Sequence, residues 1–154
     1  MKLLFVCTGN ICRSPTAEGV MAHHLRAAGL DDRVVVDSAG TMAYHEGEEP
    51  DPRAQIVAEK RGYDLSDLRA RLLQPADFRA FDLLLAMDNG HLRTMKRMRA
   101  GAGDVRLFLN YAKGQQGRDV PDPYYGQKRD FESALDLIEM GVRGLLDEIS
   151  AKLA

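Results

Sequence analysis

Apolar and polar residues alternate along the chain in blocks that have the lengths of strands and helices. Four apolar runs are typical of strands: residues 2–7, 34–36, 81–87 and 105–109. Segments with helical signals separate these runs, and this order predicts a parallel sheet with helices on both faces. In folds of this kind, ligands bind beyond the carboxyl ends of the strands.

Helix signals stand between the predicted strands. Ser14 is expected to cap the first helix, Pro15 suits its first turn, and Gly29 is expected to end it. Further helices are predicted over residues 54–60 and from position 88 or 89 onward.

The C-terminal segment has the clearest periodicity in the chain. Its apolar residues recur every three or four positions and predict one continuous helix face: Phe131, Leu135, Ile138, Val142, Leu145, Ile149 and Leu153. Stretches rich in Gly, Pro, Asp or Gln are expected to be irregular, with a turn at 37–40 and loops at 42–53 and 110–130.

Composition limits the class of protein. The 154 residues match a single domain, 1–154, and 45% hydrophobic with 29% charged residues predicts a globular core. A net charge of −2 argues against a nucleic-acid binder, and no apolar run is long enough to span a bilayer. The first residues are predicted to form a core strand rather than a signal peptide. With two cysteines, the chain is expected to be cytoplasmic, and nothing in it requires more than a monomer.

Residues 5–15, FVCTGNICRSP, place a cysteine directly after the first strand and an arginine at the start of the first helix. A phosphate dianion lying over residues 8–13 would meet backbone N–H groups and the positive end of the helix. Arg13 can make a planar, bidentate contact with two phosphate oxygens. Helix N-termini and cations favour the thiolate form of cysteine, so Cys7 is predicted to be a nucleophile.

Other residues of this loop suit the same purpose. Gly9 allows a turn that a side chain would obstruct, Asn10 tolerates left-handed backbone, and Ser14 can donate a hydrogen bond to the sulfur. Walker loops, dinucleotide fingerprints and C-x-x-C redox motifs are absent from the sequence. The structural alternative is that Cys7 is a small buried residue at the end of a strand.

A covalent phosphate route also needs an acid for the leaving oxygen and a base for the attacking water. Asp122, in the stretch VPDPYYG, is the best candidate because two prolines stiffen its loop. The alternative is an ordinary Asp-Pro turn.

Five motifs together resemble the low-molecular-weight protein tyrosine phosphatase family in its bacterial form: CTGNICRSPTAE, DSAGT, EEPDPRA, FDLLLAMD and DPYYG. The resemblance runs in order along nearly the whole chain. It implies a flavodoxin-like, three-layer α/β/α fold with a four-stranded parallel sheet, and neither a metal nor a cofactor. It also implies phosphotyrosine protein substrates, among which a bacterial tyrosine kinase is one expectation.

The roles of family residues carry over to the matching positions of this chain. They imply Cys7 as nucleophile, Arg13 as phosphate clamp and Asp122 as general acid, while Ser38 is implied to support the loop by hydrogen bonding. The positions expected to bind substrate are Thr8, Gly9, Asn10, Ile11, Cys12, Ser14, Tyr44, Tyr124 and Tyr125. An aryl phosphate would fit between the aromatic rings.

The second cysteine and two leucines need separate comment. Cys12 is implied to trap an oxidised Cys7 as a disulfide, and the alternative is that Cys12 fills space at the helix start. Leu68 and Leu72 depart from the family pattern, because similar bacterial members often carry histidine and glutamine there. That histidine supports the loop serine.

Two further predictions concern the surface. His91 stands where asparagine is common and is predicted to be a change on a surface helix. The acidic residues of the 42–53 loop are predicted to be a solvated segment, and the alternative is that they favour substrates with basic flanks: Glu46, Glu48, Glu49 and Asp51.

Three other functions compete with phosphotyrosine hydrolysis. An arsenate reductase would relay electrons through downstream cysteines, and the sequence has none after Cys12. Protein arginine phosphatases tend to carry threonine where Ile11 stands and lack the tyrosine pair at 124 and 125. A non-catalytic phosphate-binding or redox-sensing module would dispense with the acid, whereas Asp122 is present.

Overall fold

The sheet contains four parallel strands in the order β2-β1-β3-β4. A computed structural model describes residues 1–99 and 103–154 of the chain. Its strands are β1 (Lys2–Cys7), β2 (Val35–Gly40), β3 (Leu83–Ala86) and β4 (Asp104–Leu107). The predicted four-stranded parallel sheet is therefore confirmed, with each apolar run giving one strand.

Helices cover both faces of this sheet. They are α1 (Arg13–Ala27), α2 (Pro52–Lys60), α3 (Asp77–Ala80), α4 (Asn89–Met98) and α5 (Lys128–Leu153), with a 3-10 helix at Phe108–Tyr111. Helices α1, α2 and α5 pack on one face, and α3 and α4 pack on the other. This three-layer arrangement is the predicted flavodoxin-like architecture.

Strand β1 lies at the centre of both layers of core. Leu3 and Phe5 face the α1–α5 side, whereas Leu4 and Val6 face the α3–α4 side, and all four are fully buried. A continuous apolar run of this kind is typical of a central parallel strand. The chain runs from β1 to β2 on one side and then to β3 on the other side, so the strand order reverses at β1. Folds of this kind bind ligands at such a topological switch point.

The last helix buries the face that its periodicity predicts. Phe131, Leu135 and Val142 are among the fully buried positions of α5. The 3-10 helix approaches α5 so closely that a Cβ at Gly144 would collide with the backbone carbonyl of Tyr111. Glycine is therefore required there despite its poor helix propensity.

The predicted turn at 37–40 is wrong, because these residues form the end of β2. Asp37 and Gly40 pair in register with Leu4 and Cys7 of β1, so sheet pairing overrides the turn preference of the local sequence. A Cβ at Gly40 would lie 2.6 Å from the carbonyl oxygen of Thr8, so this glycine lets β2 approach the loop after β1. The four-residue helix α3 was not predicted, since it is too short to show a period.

Two predicted roles at helix starts need correction. Ser14 is not a cap: Cys12 occupies the N-cap of α1 without a side-chain hydrogen bond, and Ser14 lies inside the helix. Asp51 is not part of a solvated segment, because its buried carboxylate caps α2 by accepting a hydrogen bond from the backbone N–H of Arg53. The other three acidic residues of that loop are exposed, as expected.

None of the helices within residues 1–99 and 103–154 has the length and apolar character needed to cross a membrane.

A half-buried carboxyl group joins α1 to β2. The hydroxyl of Ser38 donates a hydrogen bond to Glu18 Oε1 over 2.7 Å. Burial is the main cause that raises the pKa of Glu18 to about 7, and the nearby charge of Asp37 adds to it. The Ser38 hydrogen bond and the guanidinium of Arg71 act in the opposite direction without cancelling the effect.

Glu18 should therefore make stability depend on pH. The folded protein retains this proton between the ordinary glutamate pKa of 4.5 and about 7, whereas the unfolded chain loses it. We expect the free energy of unfolding to fall by roughly 1–3 kcal/mol over this interval, relative to the variant Glu18→Gln. Urea titrations at several pH values measure the difference, with the exposed Glu59→Gln of α2 as the control. A constant difference between wild type and Glu18→Gln would contradict the assignment.

Candidate active site

An open cleft lies beyond the carboxyl end of β1. Of the twelve residues that the sequence assigns to the site, ten line this cleft: Cys7, Thr8, Gly9, Ile11, Cys12, Arg13, Tyr44, Asp122, Tyr124 and Tyr125. The other two, Asn10 and Ser14, are buried beneath the loop. His45 also lines the cleft, although the predicted set of site residues does not include it.

The loop between β1 and α1 has the form of an anion cradle. Asn10 has a φ of +58°, a left-handed conformation that asparagine tolerates better than most residues. Among the hydrogen bonds of residues 1–99 and 103–154, none is donated by the backbone N–H groups of residues 9–12. These groups are free to bind an anion at the N-terminus of α1.

The hydrogen bonds beneath the loop have a definite direction. The backbone N–H of Arg71 donates to Asn10 Oδ1 over 3.0 Å, so the Asn10 amide nitrogen faces the other way. That nitrogen donates to Ser14 Oγ over 2.8 Å and to Ser38 Oγ over 2.9 Å. Because Ser14 Oγ accepts from Asn10, its own hydrogen is left for Cys7 Sγ, which lies 2.9 Å away.

The guanidinium of Arg13 is buried and held in one orientation. Its Nη1 donates to Asp88 Oδ2 and to the backbone carbonyl of Val120, each over 2.9 Å. These two bonds use both hydrogens of Nη1, so Nε and Nη2 form the pair that remains for a bidentate contact with an oxyanion. The Val120 N–H in turn donates to the Met87 carbonyl at the end of β3, which ties this segment to the sheet.

Asp122 faces Arg13 from the opposite wall of the cleft. Its Oδ1 accepts a hydrogen bond from the backbone N–H of Tyr124 over 3.1 Å, which fixes the turn. Its Oδ2 lies 3.7 Å from Arg13 Nη2. The carboxyl group therefore forms an ordinary Asp turn and also faces the candidate phosphate site, so the two interpretations of Asp122 are compatible.

Aromatic rings form the upper walls of the cleft. Tyr124 and Tyr125 meet edge to face with their ring centroids 4.9 Å apart, and the guanidinium of Arg53 lies 5.5 Å from the Tyr124 ring. Tyr44 and Tyr125 are 75% and 92% exposed, so their rings are available to a bound molecule. His45 packs on Gly9, whose missing side chain leaves room for the ring.

His91 is not a surface residue, contrary to the sequence prediction. It is buried at the first turn of α4, with Nε2 2.8 Å from the hydroxyl oxygen of Thr8. Burial lowers the pKa of His91 to about 4, so the ring is neutral near neutral pH.

Asp88 is a further functional residue that was predicted only as a helix start. Burial acts to raise the pKa of its carboxyl, but the backbone N–H of His91 and the guanidinium of Arg13 lower it below its usual range. Its position directly beyond β3, at the edge of the sheet where β1 delivers Cys7, was the available signal.

The two cysteines have different surroundings. Burial, together with the charge of Asp51, raises the pKa of the Cys12 thiol far above its usual range. Cys12 is therefore a neutral thiol, whereas Cys7 has a hydroxyl hydrogen directed at it. Across residues 1–99 and 103–154, no three His, Cys, Asp or Glu side chains are grouped closely enough to hold a metal ion.

Known proteins match this chain over its whole length. A family model described as low molecular weight phosphotyrosine protein phosphatase matches residues 2–154. A low molecular weight protein-tyrosine-phosphatase of Streptomyces coelicolor is 46% identical over 94% of this chain and 91% of its own length. A crystal structure of a protein tyrosine phosphatase from Entamoeba histolytica is 35% identical, with a TM-score of 0.94 and coverage of 100% of this chain and 99% of that chain.

An arginine phosphatase of Drosophila has the same fold. Its crystal structure has a TM-score of 0.90 and 30% identity, and covers 97% of this chain and 98% of that chain. The fold is thus shared between phosphatases of different substrates, while the family model and the Streptomyces coelicolor relative both carry the description of a low molecular weight phosphatase that acts on phosphotyrosine. This chain belongs to the low molecular weight phosphotyrosine protein phosphatase family.

Proposed function

We propose that this phosphatase hydrolyses phosphotyrosine in proteins through a covalent phosphate on Cys7. One observation carries the proposal: Cys7, Arg13 and Asp122 line a single cleft around a loop whose N–H groups have no acceptor among the described residues. A nucleophile, an anion clamp and an acid are the three parts that this reaction requires. Asn10 and Ser14 act beneath the loop by directing a hydrogen bond to the sulfur.

In the first step, Cys7 Sγ attacks phosphorus and the bond from phosphorus to the tyrosine oxygen breaks. Asp122 gives a proton to that leaving oxygen, from the Oδ2 that faces the cleft. The non-bridging oxygens are held by Arg13 Nε and Nη2 and by the loop N–H groups, which stabilise the developing charge. The free phenol then leaves the cleft.

In the second step, water attacks the phosphorus of the cysteinyl phosphate. The Asp122 carboxylate accepts a proton from this water, the bond between sulfur and phosphorus breaks, and inorganic phosphate forms. The electron pair returns to Cys7 Sγ, where the Ser14 hydrogen stabilises the negative charge. One carboxyl group thus serves in turn as acid and base.

The walls of the cleft favour an aromatic ester. Tyr44, Tyr124 and Tyr125 all line the cleft, so a phenyl ring that enters it would bury apolar surface against aromatic rings. Ile11 adds a buried apolar side chain at the base. These features support phosphotyrosine over phosphoarginine, which carries a longer polar side chain.

The physiological setting is also part of the proposal. Two buried free thiols support a reducing, cytoplasmic location. A monomeric enzyme and a bacterial tyrosine kinase as one substrate are the expectations that the family resemblance adds. The redox pairing of Cys7 with Cys12 stays a prediction.

Replacing the nucleophile should separate binding from chemistry. We expect Cys7→Ser to abolish aryl phosphate turnover while inorganic phosphate still binds, because the N–H cradle and Arg13 remain. Steady-state kinetics and isothermal titration calorimetry measure the two properties. Cys12→Ser is the matched variant, and it should retain measurable turnover. Turnover by Cys7→Ser near the wild-type rate would refute the covalent route.

Replacing the acid should affect esters according to their leaving group. We expect Asp122→Ala to reduce kcat by about 100-fold or more for phenyl phosphate, and less for nitrophenyl phosphate, whose leaving oxygen needs little protonation. A series of substituted phenyl phosphates gives the slope of log kcat against leaving-group pKa. Glu46→Ala, which removes an exposed acid beside the other wall, should keep the wild-type slope. An equal loss for every ester would show that Asp122 is not the acid.

The aromatic walls should decide between two phosphoryl donors. We expect kcat/KM for a phosphotyrosine peptide to exceed that for the matching phosphoarginine peptide. Tyr44→Ala should lower only the phosphotyrosine value, by about 3- to 10-fold, because only that substrate contacts the ring through an aromatic face. Met42→Ala, an exposed apolar neighbour, is the control. A preference for phosphoarginine would assign the chain to the other substrate class.

A further inference from the structure

His91 has a buried polar side chain beside the cleft, and the catalytic steps do not use this side chain. It is only 6% exposed, and its ring meets the hydroxyl of Thr8, the residue directly after Cys7. Its backbone N–H donates to Asp88 Oδ1 over 2.8 Å. The ring Nδ1 is buried and makes no hydrogen bond within residues 1–99 and 103–154. Burying a polar ring without satisfying both nitrogens costs free energy, so the arrangement needs a reason.

The surroundings of the ring favour one tautomer. Nδ1 lies 3.1 Å from Asp88 Oδ1, at an angle unsuited to a hydrogen bond. An unprotonated Nδ1 would direct its lone pair toward a carboxylate, whereas a protonated Nδ1 is attracted to it. Since burial keeps the ring neutral, its single proton belongs on Nδ1. Nε2 is then an acceptor, and the Thr8 hydroxyl donates to it.

The first turn of α4 thus contacts both ends of the loop between β1 and α1, residues 8–13, which we call the phosphate loop. Asp88 caps α4 and binds the guanidinium of Arg13 at the end of the loop. His91, three residues later, binds Thr8 at the start of the loop. The start of α4 therefore contacts both the residue that follows Cys7 and the guanidinium of Arg13, although α4 contributes no residue to the lining of the cleft.

We propose that His91 is a positioning residue that holds Thr8, and through it Cys7, at the correct distance from Arg13. The proposal rests on the function proposed above, since it concerns the geometry of that reaction. A displacement of about 1 Å between reacting groups can cost about 100-fold in rate, so one hydrogen bond at the start of the loop is sufficient to matter.

Kinetics of three His91 variants test the contact. His91→Leu removes the acceptor and should lower kcat by about 10- to 100-fold. His91→Gln places an amide oxygen near the position of Nε2 and should restore most of this loss. His91→Ala also lacks an acceptor for Thr8 and should resemble His91→Leu. KM should change much less than kcat in each variant, because Arg13 and the loop N–H groups still bind the phosphate.

A double-mutant cycle with Thr8→Val isolates the pair. If the hydrogen bond between Thr8 and His91 accounts for the loss of kcat, Thr8→Val by itself should lower kcat. The double variant Thr8→Val with His91→Leu should then have a kcat no lower than that of the slower single variant. Thr94→Val, a threonine of α4 away from the loop, should leave kcat unchanged. If His91→Leu fails to fold, Thr8→Val and the tautomer measurement still decide the question.

Nitrogen-15 NMR of the imidazole provides a readout that a purely structural role would not move. We expect the shift of a protonated nitrogen at Nδ1 and of an unprotonated nitrogen at Nε2, with the Nε2 shift changing in Thr8→Val. An Nε2 shift that Thr8→Val leaves unchanged, or a wild-type kcat in folded His91→Leu, would overturn the proposal. Either result would leave the covalent route intact as long as turnover still requires Cys7, so the two proposals fail separately.

Discussion

The buried guanidinium of Arg13 is the contact on which the site depends. A cation in the interior is costly unless its charge and its hydrogen bonds are both met. The Asp88 carboxylate balances the charge of Arg13, and the carbonyl of Val120 accepts the second hydrogen bond from Nη1. These contacts join the loop after β1, the start of α4 and the segment that carries Asp122. Three parts of the chain that are remote in sequence are thereby fixed around one side chain, which lines the cleft and keeps Nε and Nη2 available for an oxyanion.

The parallel sheet makes this contact possible. Strands β1 and β3 are neighbours, so the residues that follow them, the phosphate loop and Asp88, emerge at the same edge. The backbone of Met87 then binds Val120, which brings the segment before α5 onto that edge. Asp122 reaches the cleft because a main-chain hydrogen bond anchors its loop to β3, and the prolines on either side of Asp122 limit the freedom of that loop.

Local sequence was sufficient for the parts of this structure that depend on local forces. Apolar runs predicted each strand, a helical period predicted the buried face of α5, and the spacing of Cys7 and Arg13 predicted the loop. The predictions that failed concern residues whose contacts come from segments distant in the sequence. Asp37 has a turn preference that pairing with β1 overrides, and Ser14 has a cap preference that contact with the sulfur overrides. The sequence around His91 predicts a surface position because nothing in its own helix reveals Thr8, which contacts its ring.

The departures at Leu68 and Leu72 show how a polar network can be completed differently. Related proteins often place a histidine at the position of Leu68 to support the loop serine, but here Leu68 packs against the apolar core. The direction of the hydrogen bonds explains why the network remains satisfied. Asn10 donates to Ser38, so the Ser38 hydroxyl must find an acceptor, and Glu18 supplies one. The chain of donors therefore ends at the Glu18 carboxyl group without the participation of a histidine, and Ser14 still directs its hydrogen toward Cys7.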